Sequence, residues 1–117
     1  MTKPITPVQV EQRLIQLSHE LDEAHEFLEQ AETEYYEAKT DCEIALAKER
    51  ITLTKSGLKF TVQDKEDIAL TTCEEFVRRL GIAEAKVRAA RGNAQRLRAQ
   101  VDITRSVGTS VRTSMDV

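Results

Sequence analysis

The sequence has no tryptophan, and aromatic residues make up only 4% of its 117 residues. This scarcity argues against a thick globular core, and the length fits a single domain spanning residues 1–117. Cys42 and Cys73, the two cysteines, lack the spacing of metal ligands, so we expect reduced thiols that are buried as small apolar residues. The sequence contains no stretch of about 18 apolar residues and no apolar N-terminal run preceded by basic residues. We therefore expect neither secretion nor a membrane partner.

Charged residues are plentiful, at 32% of the chain, which is typical of thin helical bundles with solvated outer faces. Apolar residues recur at alternating steps of four and three over five heptads. They are Val10, Leu14, Leu17, Leu21, Ala24, Leu28, Ala31, Tyr35, Ala38, Cys42 and Ala45. This spacing predicts one coiled-coil helix whose apolar stripe, called the seam here, must pack on another helix.

The boundaries of the first helix follow from its end signals. Thr6 can cap the helix, Pro7 suits the first helical position, and Gln9 can complete a capping box. Gly57 can adopt the left-handed conformation that ends many helices. The signals predict a helix over residues 7–55.

A second helix should follow a turn over residues 56–61. Thr61 can cap it, with Asp64 three residues further on. We expect this helix over residues 62–105 and a tail over residues 106–117. Gly108 and several β-branched residues make the tail a poor helix alone, so it is either disordered or a helix packed on another subunit or on the start of the first helix.

The second helix carries its own seam. Its residues are Leu70, Cys73, Val77, Leu80, Ala83, Val87, Ala90, Ala94, Leu97 and Val101. If the two seams pair antiparallel so that partner numbers sum to about 118, large side chains face small ones, as in Leu28 opposite Ala90 and Tyr35 opposite Ala83. The predicted fold is all-α: a long antiparallel helical hairpin, a coiled coil with a short C-terminal extension, which we expect to be oligomeric.

More apolar residues gather around the turn than one seam can bury. The candidates for oligomerisation are Ile44, Leu46, Ile51, Leu58, Phe60, Ile68 and Phe76. They either form a local cluster that closes the hairpin end or associate with a second copy. We expect self-association.

Charge is unevenly distributed. Residues 1–77 carry 8 basic against 17 acidic residues, whereas residues 78–117 carry 9 against 3. In an antiparallel hairpin the two halves could neutralise each other, with no external partner. Four arginines at seven-residue spacing nevertheless have few acids across the seam, and a row of this kind could follow a phosphate backbone. The candidate nucleic-acid-binding residues are Arg78, Arg79, Lys86, Arg88, Arg91, Arg98, Arg105 and Arg112.

No residue pattern indicates catalysis. His19 and His25 do not share a helix face, and the second helix has no histidine to complete a di-iron site. There is no glycine-rich phosphate loop and no Ser-His-Asp set. We therefore predict a protein that is not an enzyme, with no catalytic residues, no cofactor and no metal site.

The order of parts resembles the UvsY recombination mediators of tailed phages. The resemblance rests on the alanine-rich seam of residues 31–38, the turn with Gly57 and Lys59, the acid-opened second helix and the Arg105-Ser106 pair. It implies a small ring-forming helical protein that binds single-stranded DNA and helps a recombinase displace single-strand-binding protein. The arginines of that family's surface are present here, whereas its aromatic residues are few.

Two functions are therefore expected. The first is an oligomeric nucleic-acid-binding accessory protein for recombination or replication, with single-stranded DNA as its partner. The second is an assembly or adaptor protein, such as a phage structural or inhibitor component, that binds a protein through the apolar turn end or the C-terminal tail. Either would place the chain in the cytoplasm, or in the host cytoplasm if it is phage-encoded.

Overall fold

The computed structural model of the chain describes residues 4–115, which form three α-helices and no strand. The helices are α1 (Pro7–Lys55), α2 (Val62–Thr72) and α3 (Glu74–Met115). The predicted all-α antiparallel helical hairpin is confirmed. The described residues divide into two compact units: a terminal unit of residues 4–29 and 89–115, and a turn unit of residues 30–88.

The predicted cap of α1 by Thr6, with the capping box completed by Gln9, is confirmed. The backbone N–H of Thr6 donates to Oε1 of Gln9 at 3.0 Å, and the N–H of Gln9 donates to Oγ1 of Thr6 at 3.3 Å. These reciprocal bonds satisfy donors that the first helical turn leaves without partners. After α1 ends, Gly57 has a φ of 75°, the left-handed conformation that glycine adopts without steric cost.

The predicted continuous helix over residues 62–105 is wrong at its beginning, because the helix is interrupted at Cys73. The capping box of Thr61 and Asp64 is confirmed, but Cys73 has a ψ of 22° and separates α2 from α3. The hydroxyl of Thr71 donates to the carbonyl of Asp67 at 2.8 Å. Such bonds to the preceding turn often bend helices, although the same bond at Thr104, Thr109 and Thr113 leaves α3 unbroken; no proline or glycine lies at the break.

The interruption changes which side of α2 faces inward. Leu70, predicted as a seam residue, is 47% exposed, and its neighbour Ala69 is fully buried instead. The backbone N–H of Cys73 donates to the carbonyl of Ala69 at 2.9 Å, so Ala69 lies one full turn before the buried Cys73. The seam of α2 therefore runs one residue earlier than the heptad pattern predicted.

The predicted helix end at residue 105 is also wrong, because α3 continues through Met115. The tail is thus helical in its described part, and its last two residues, 116 and 117, lie outside the described residues. The hydroxyls of Thr104, Thr109 and Thr113 donate to carbonyls four residues earlier, at 2.7 to 3.1 Å. The tail also packs on the start of α1, and this tertiary packing overrides its poor intrinsic helix propensity.

Two contacts, one in each unit, establish which residues of α1 lie opposite which residues of α3. In the terminal unit Gly108 lies against Val10. In the turn unit Nζ of Lys86 lies 3.7 Å from Oε2 of Glu34. The residue numbers sum to 118 for Val10 and Gly108 and to 120 for Glu34 and Lys86, close to the sum of 118 predicted for partners across the seam.

Each unit has a narrow core along the predicted seams. The core of the terminal unit is a cluster of five buried residues: Leu17, Ala24, Ala94, Leu97 and Val101. The turn unit buries seven seam residues: Ala31, Ala38, Cys42, Ala69, Cys73, Ala83 and Val87. The small seam side chains are buried, whereas the larger Leu28, Tyr35 and Leu80 are partly buried.

The contact between Val10 and Gly108 can be tested with a matched pair of glycines. A Cβ at residue 108 would lie 2.9 Å from Cγ1 of Val10, whereas one at Gly92 would meet no atom within 4 Å. Because alanine favours helices over glycine by about 1 kcal/mol, Gly92→Ala should raise the free energy of unfolding by about that amount. Gly108→Ala should raise the free energy of unfolding by less than this amount, or lower it, because the stiff, buried side chain of Val10 must move.

Urea unfolding followed by circular dichroism measures both changes. In a double-mutant cycle, Val10→Ala should recover stability in the Gly108→Ala background, with a coupling free energy of about 0.5 to 1 kcal/mol. Equal gains from alanine at residues 92 and 108, with no coupling to Val10, would show that the contact is absent in solution.

Candidate nucleic-acid interface

Four arginines form a row along α3 in the terminal unit. Arg91, Arg98, Arg105 and Arg112 are seven residues apart, so successive side chains lie on one face at intervals of about 10 Å. Arg91 and Arg98 directly follow the seam residues Ala90 and Leu97, and all four arginines are exposed. We call these four residues the arginine row.

The middle of the row has no acidic partner in the part of the chain that the structure describes. Arg98 and Arg105 make no ion pair or hydrogen bond with any residue from 4 to 115, although Asp102 lies one helical turn from each. Nε of Arg112 donates to the carbonyl of Gly108 at 3.4 Å. Arg91 interacts with another group of the chain.

The register explains why Arg98 has no acid opposite it. Ser18 lies opposite Arg98 and is exposed and uncharged. Glu11 is opposite Arg105 but does not form an ion pair with it. The flank of the terminal unit that carries the row is therefore positive where Arg98 and Arg105 extend from it, even though α1 as a whole is acidic.

The other four predicted binding residues lie in the turn unit, where each has an intrachain partner. Arg78 pairs with Glu74 at 2.6 Å and Arg88 with Glu84 at 3.1 Å, both one helical turn apart. Lys86 reaches Glu34 across the seam, and the guanidinium of Arg79 lies 5.4 Å from the ring centre of Phe76. The structure thus separates the predicted set into an arginine row in the terminal unit and four engaged cations in the turn unit.

The opposite flank of the terminal unit carries a mixed-charge groove of about 560 Å³. Arg13 and Arg96 line it together with Glu20, Glu23 and Phe27. Arg96 directly precedes the seam residue Leu97 in the sequence, and the structure places it on the flank away from the row. Because the groove holds acids as well as arginines, it lacks the uniform positive charge of the row.

A second groove of about 670 Å³ lies at the chain ends, within the terminal unit. Its apolar lining comes from Ile5, Ile103, Val107, Val111 and Met115. Ile103 is 63% exposed and Met115 is 69% exposed. The four-residue spacing of the α3 members predicted an amphipathic stretch, but the inclusion of the N-terminal segment could not be inferred from it. We call this the terminal groove.

The predicted oligomerisation residues divide by exposure. Leu46, Phe60, Ile68 and Phe76 are partly buried within the turn unit. Ile44, Ile51 and Leu58 are exposed, by 48%, 54% and 64%. Local packing therefore covers four of the seven and leaves three on the surface.

Cys42 and Cys73 are free thiols buried in the seam of the turn unit. Burial raises the pKa of the Cys42 thiol above its usual range, and the neighbouring Cys73 and Glu43 raise it further. All three effects disfavour the thiolate. This environment suits the predicted role of small apolar residues.

Comparisons with known proteins found no relative: no protein-family model, curated protein or solved structure matches the chain. Among residues 4–115, no three histidine, cysteine, aspartate or glutamate side chains are grouped so that they could hold a metal ion. None of the helices described combines the length and the apolar character needed to cross a bilayer.

The raised pKa of Cys42 predicts a loss of stability in alkali. As pH rises through the ordinary thiol pKa of about 8.5, the unfolded chain loses this proton before the folded chain does, so the free energy of unfolding falls. Urea unfolding between about pH 7 and 10 should show a shallower decline for Cys42→Ala than for the unmodified chain. An identical decline in both proteins would assign the pH dependence to other groups.

Proposed function

We propose that this chain is a non-enzymatic, oligomeric helical-hairpin protein that binds single-stranded DNA along the arginine row, as an accessory factor in recombination or replication. One observation carries the proposal: Arg98 and Arg105 are exposed and have no acidic partner among the described residues. Guanidinium groups without a partner favour phosphate, which they can bind through paired hydrogen bonds.

The composition of the terminal unit indicates the kind of binding. Phe27 is the only aromatic residue in residues 4–29 and 89–115, and it lines the groove on the flank opposite the row. Without aromatic side chains beside the row, bases have no stacking platform. Binding should therefore depend on phosphate contacts, tolerate any sequence, and be weak for one copy and stronger when several copies pool their rows.

The resemblance to the UvsY recombination mediators supports the same proposal from the sequence. In that family a ring of subunits binds single-stranded DNA, and a ring would bring several arginine rows onto one strand. In the proposed role, the oligomer therefore brings the arginine rows of its subunits together into one DNA-binding surface.

Replacing Arg98, Arg105 and Arg112 together by Gln should weaken the binding of a fluorescent oligothymidylate by about tenfold or more at low salt. Phosphate contacts from these three arginines predict a slope of log affinity against log salt concentration of about −2, which should fall toward zero in the triple variant. Fluorescence anisotropy over a salt series measures both quantities.

The matched control is Arg78→Gln with Arg88→Gln, which removes two arginines already paired with glutamates. It should leave affinity nearly unchanged, while circular dichroism verifies the fold of both variants. Absence of salt-sensitive binding by the unmodified chain would refute the proposal, and equal losses in the two variants would show that net charge, rather than the row, determines binding.

The exposed terminal groove favours an alternative function as an assembly component, in which copies of the chain associate through this groove. Its apolar side chains extend over several turns of α3, and exposed apolar surface of this kind marks interaction sites. Such an assembly protein needs no nucleic acid, so the arginine row would then serve only solubility.

Under this alternative, Ile103→Ser with Met115→Ser should lower the mass of the protein in solution at a given concentration. Ile15→Ser, which replaces an isoleucine that is 60% exposed outside the groove, is the matched control and should leave the mass unchanged. Light scattering across a concentration series measures this. A monomeric mass for the unmodified chain at every concentration would exclude assembly by this groove.

A further inference from the structure

We propose that the tip of the hairpin binds the surface of anionic phospholipid membranes, with its exposed aliphatic side chains entering the interface and its basic side chains contacting lipid phosphates. The tip comprises residues 48–65: the end of α1, the connection and the start of α2. This interaction surface is separate from the arginine row and does not depend on the proposed DNA binding.

The backbone of the tip is held by its own hydrogen bonds. Oγ of Ser56 donates to the carbonyl of Leu53 at 2.6 Å and accepts from the N–H of Leu58 at 3.3 Å. Nζ of Lys65 lies 3.4 Å from Oγ1 of Thr54, so the start of α2 is joined to the end of α1. Because the capping groups are satisfied within the tip, its exposed side chains project from an ordered turn.

Three large aliphatic side chains of the tip are exposed. Ile51 is 54% exposed, Leu58 64% and Val62 77%. Leu53 and Phe60 in the same segment are partly buried. Folding of the chain thus covers part of the apolar surface of the turn and leaves three aliphatic side chains of the tip facing water.

The charge of the tip differs from that of the chain. Residues 48–65 hold five basic and two acidic residues, whereas the whole chain has a net charge of −3. One of the two acids, Asp64, accepts a hydrogen bond from the N–H of Thr61 and is engaged in the cap of α2. The aliphatic residues therefore lie among Lys55, Lys59 and Lys65, and the occupant of this surface should be anionic.

Positive charge argues against a second copy as the occupant. Two tips placed together would bring lysines against lysines while burying the aliphatic residues, and like charges at a desolvated contact are unfavourable. An anionic lipid surface meets both requirements, because acyl chains receive the aliphatic side chains and phosphates receive the lysines. The exposed residues also lie on a turn between two helices, a shape that can enter a planar interface.

Such binding needs no membrane-spanning helix. The expectation of no membrane partner in the sequence analysis was based on the absence of a long apolar run, which bears on spanning segments only. Surface binding requires a few aliphatic residues and basic side chains beside them. The exposure of Leu58 and Val62, which the sequence alone did not reveal, changes that expectation.

The test is co-sedimentation of the full chain with vesicles at low salt. Vesicles of phosphatidylcholine with phosphatidylglycerol should bind the protein, vesicles of phosphatidylcholine alone should not, and added salt should release it. Leu58→Ser with Val62→Ser, and separately Lys55→Gln with Lys59→Gln, should each weaken binding by about tenfold or more. The matched controls, Ile15→Ser and Lys39→Gln, replace exposed residues outside the tip and should bind as the unmodified chain does.

Two further measurements separate this proposal from the DNA-binding one. The Arg98, Arg105 and Arg112 triple Gln variant should still bind anionic vesicles, and the tip variants should still bind the oligothymidylate. Failure of the unmodified chain to bind anionic vesicles would overturn the lipid proposal. So would loss of vesicle binding in the triple variant alone, or a tip variant that changes only the mass of the protein in solution, since the tip would then be a protein-association surface.

Discussion

The pairing of small with large side chains along the seam is the constraint on which the rest of the structure depends. Ala24, Ala31 and Ala38 recur every seven residues along α1, and none is more than 7% exposed. At Ala31 and Ala38 the register places the larger Val87 and Leu80 opposite, and these fill the space that alanine leaves, whereas Ala24 shares the core of the terminal unit with Ala94. A shift by a heptad that sets Ala31 against Ala94 would leave a void there, which disfavours that register.

This register also decides which charges remain available. In the turn unit it places Lys86 opposite Glu34, and the two form an ion pair. In the terminal unit it places the uncharged Ser18 opposite Arg98. Exposed ion pairs of this kind contribute little to stability, so their importance here is the reduction of cationic surface in the turn unit. The candidate interface in the terminal unit is therefore a consequence of core packing as much as of the arginines themselves.

Local signals in the sequence predicted the helix ends that depend on local hydrogen bonds. The pairs Thr6 with Gln9 and Thr61 with Asp64 cap as expected, because each cap involves residues three apart in the chain. The break at Cys73 was not predictable, since neither glycine nor proline marks it in the sequence. For the tail the sequence left two alternatives, disorder and a packed helix, because helix formation there depends on a tertiary contact that opposes its local propensity.

The candidate site shows the same division. Seven-residue spacing was enough to place the four arginines of the row on one face of α3. The pairing of Arg78 with Glu74 and of Arg88 with Glu84 was within reach of the sequence, since glutamate precedes each arginine by one helical turn. The heptad analysis tested acids only across the seam and so did not separate these cations from the row. The terminal groove required the structure, because it joins Ile5 to the last turns of α3.

The core is thin, and this leaves apolar surface available to the proposed partners. Leu17 is the one large side chain in the described residues that is fully buried, and most of the remaining core consists of alanine, valine and cysteine. Hydrophobic stabilisation increases with the apolar area removed from water, so a core of small residues contributes little per layer. Meanwhile Ile103, Met115 and Val62 remain exposed. The terminal groove and the tip thus keep apolar area that intramolecular packing does not cover, and association at either surface would gain stability by removing that area from water.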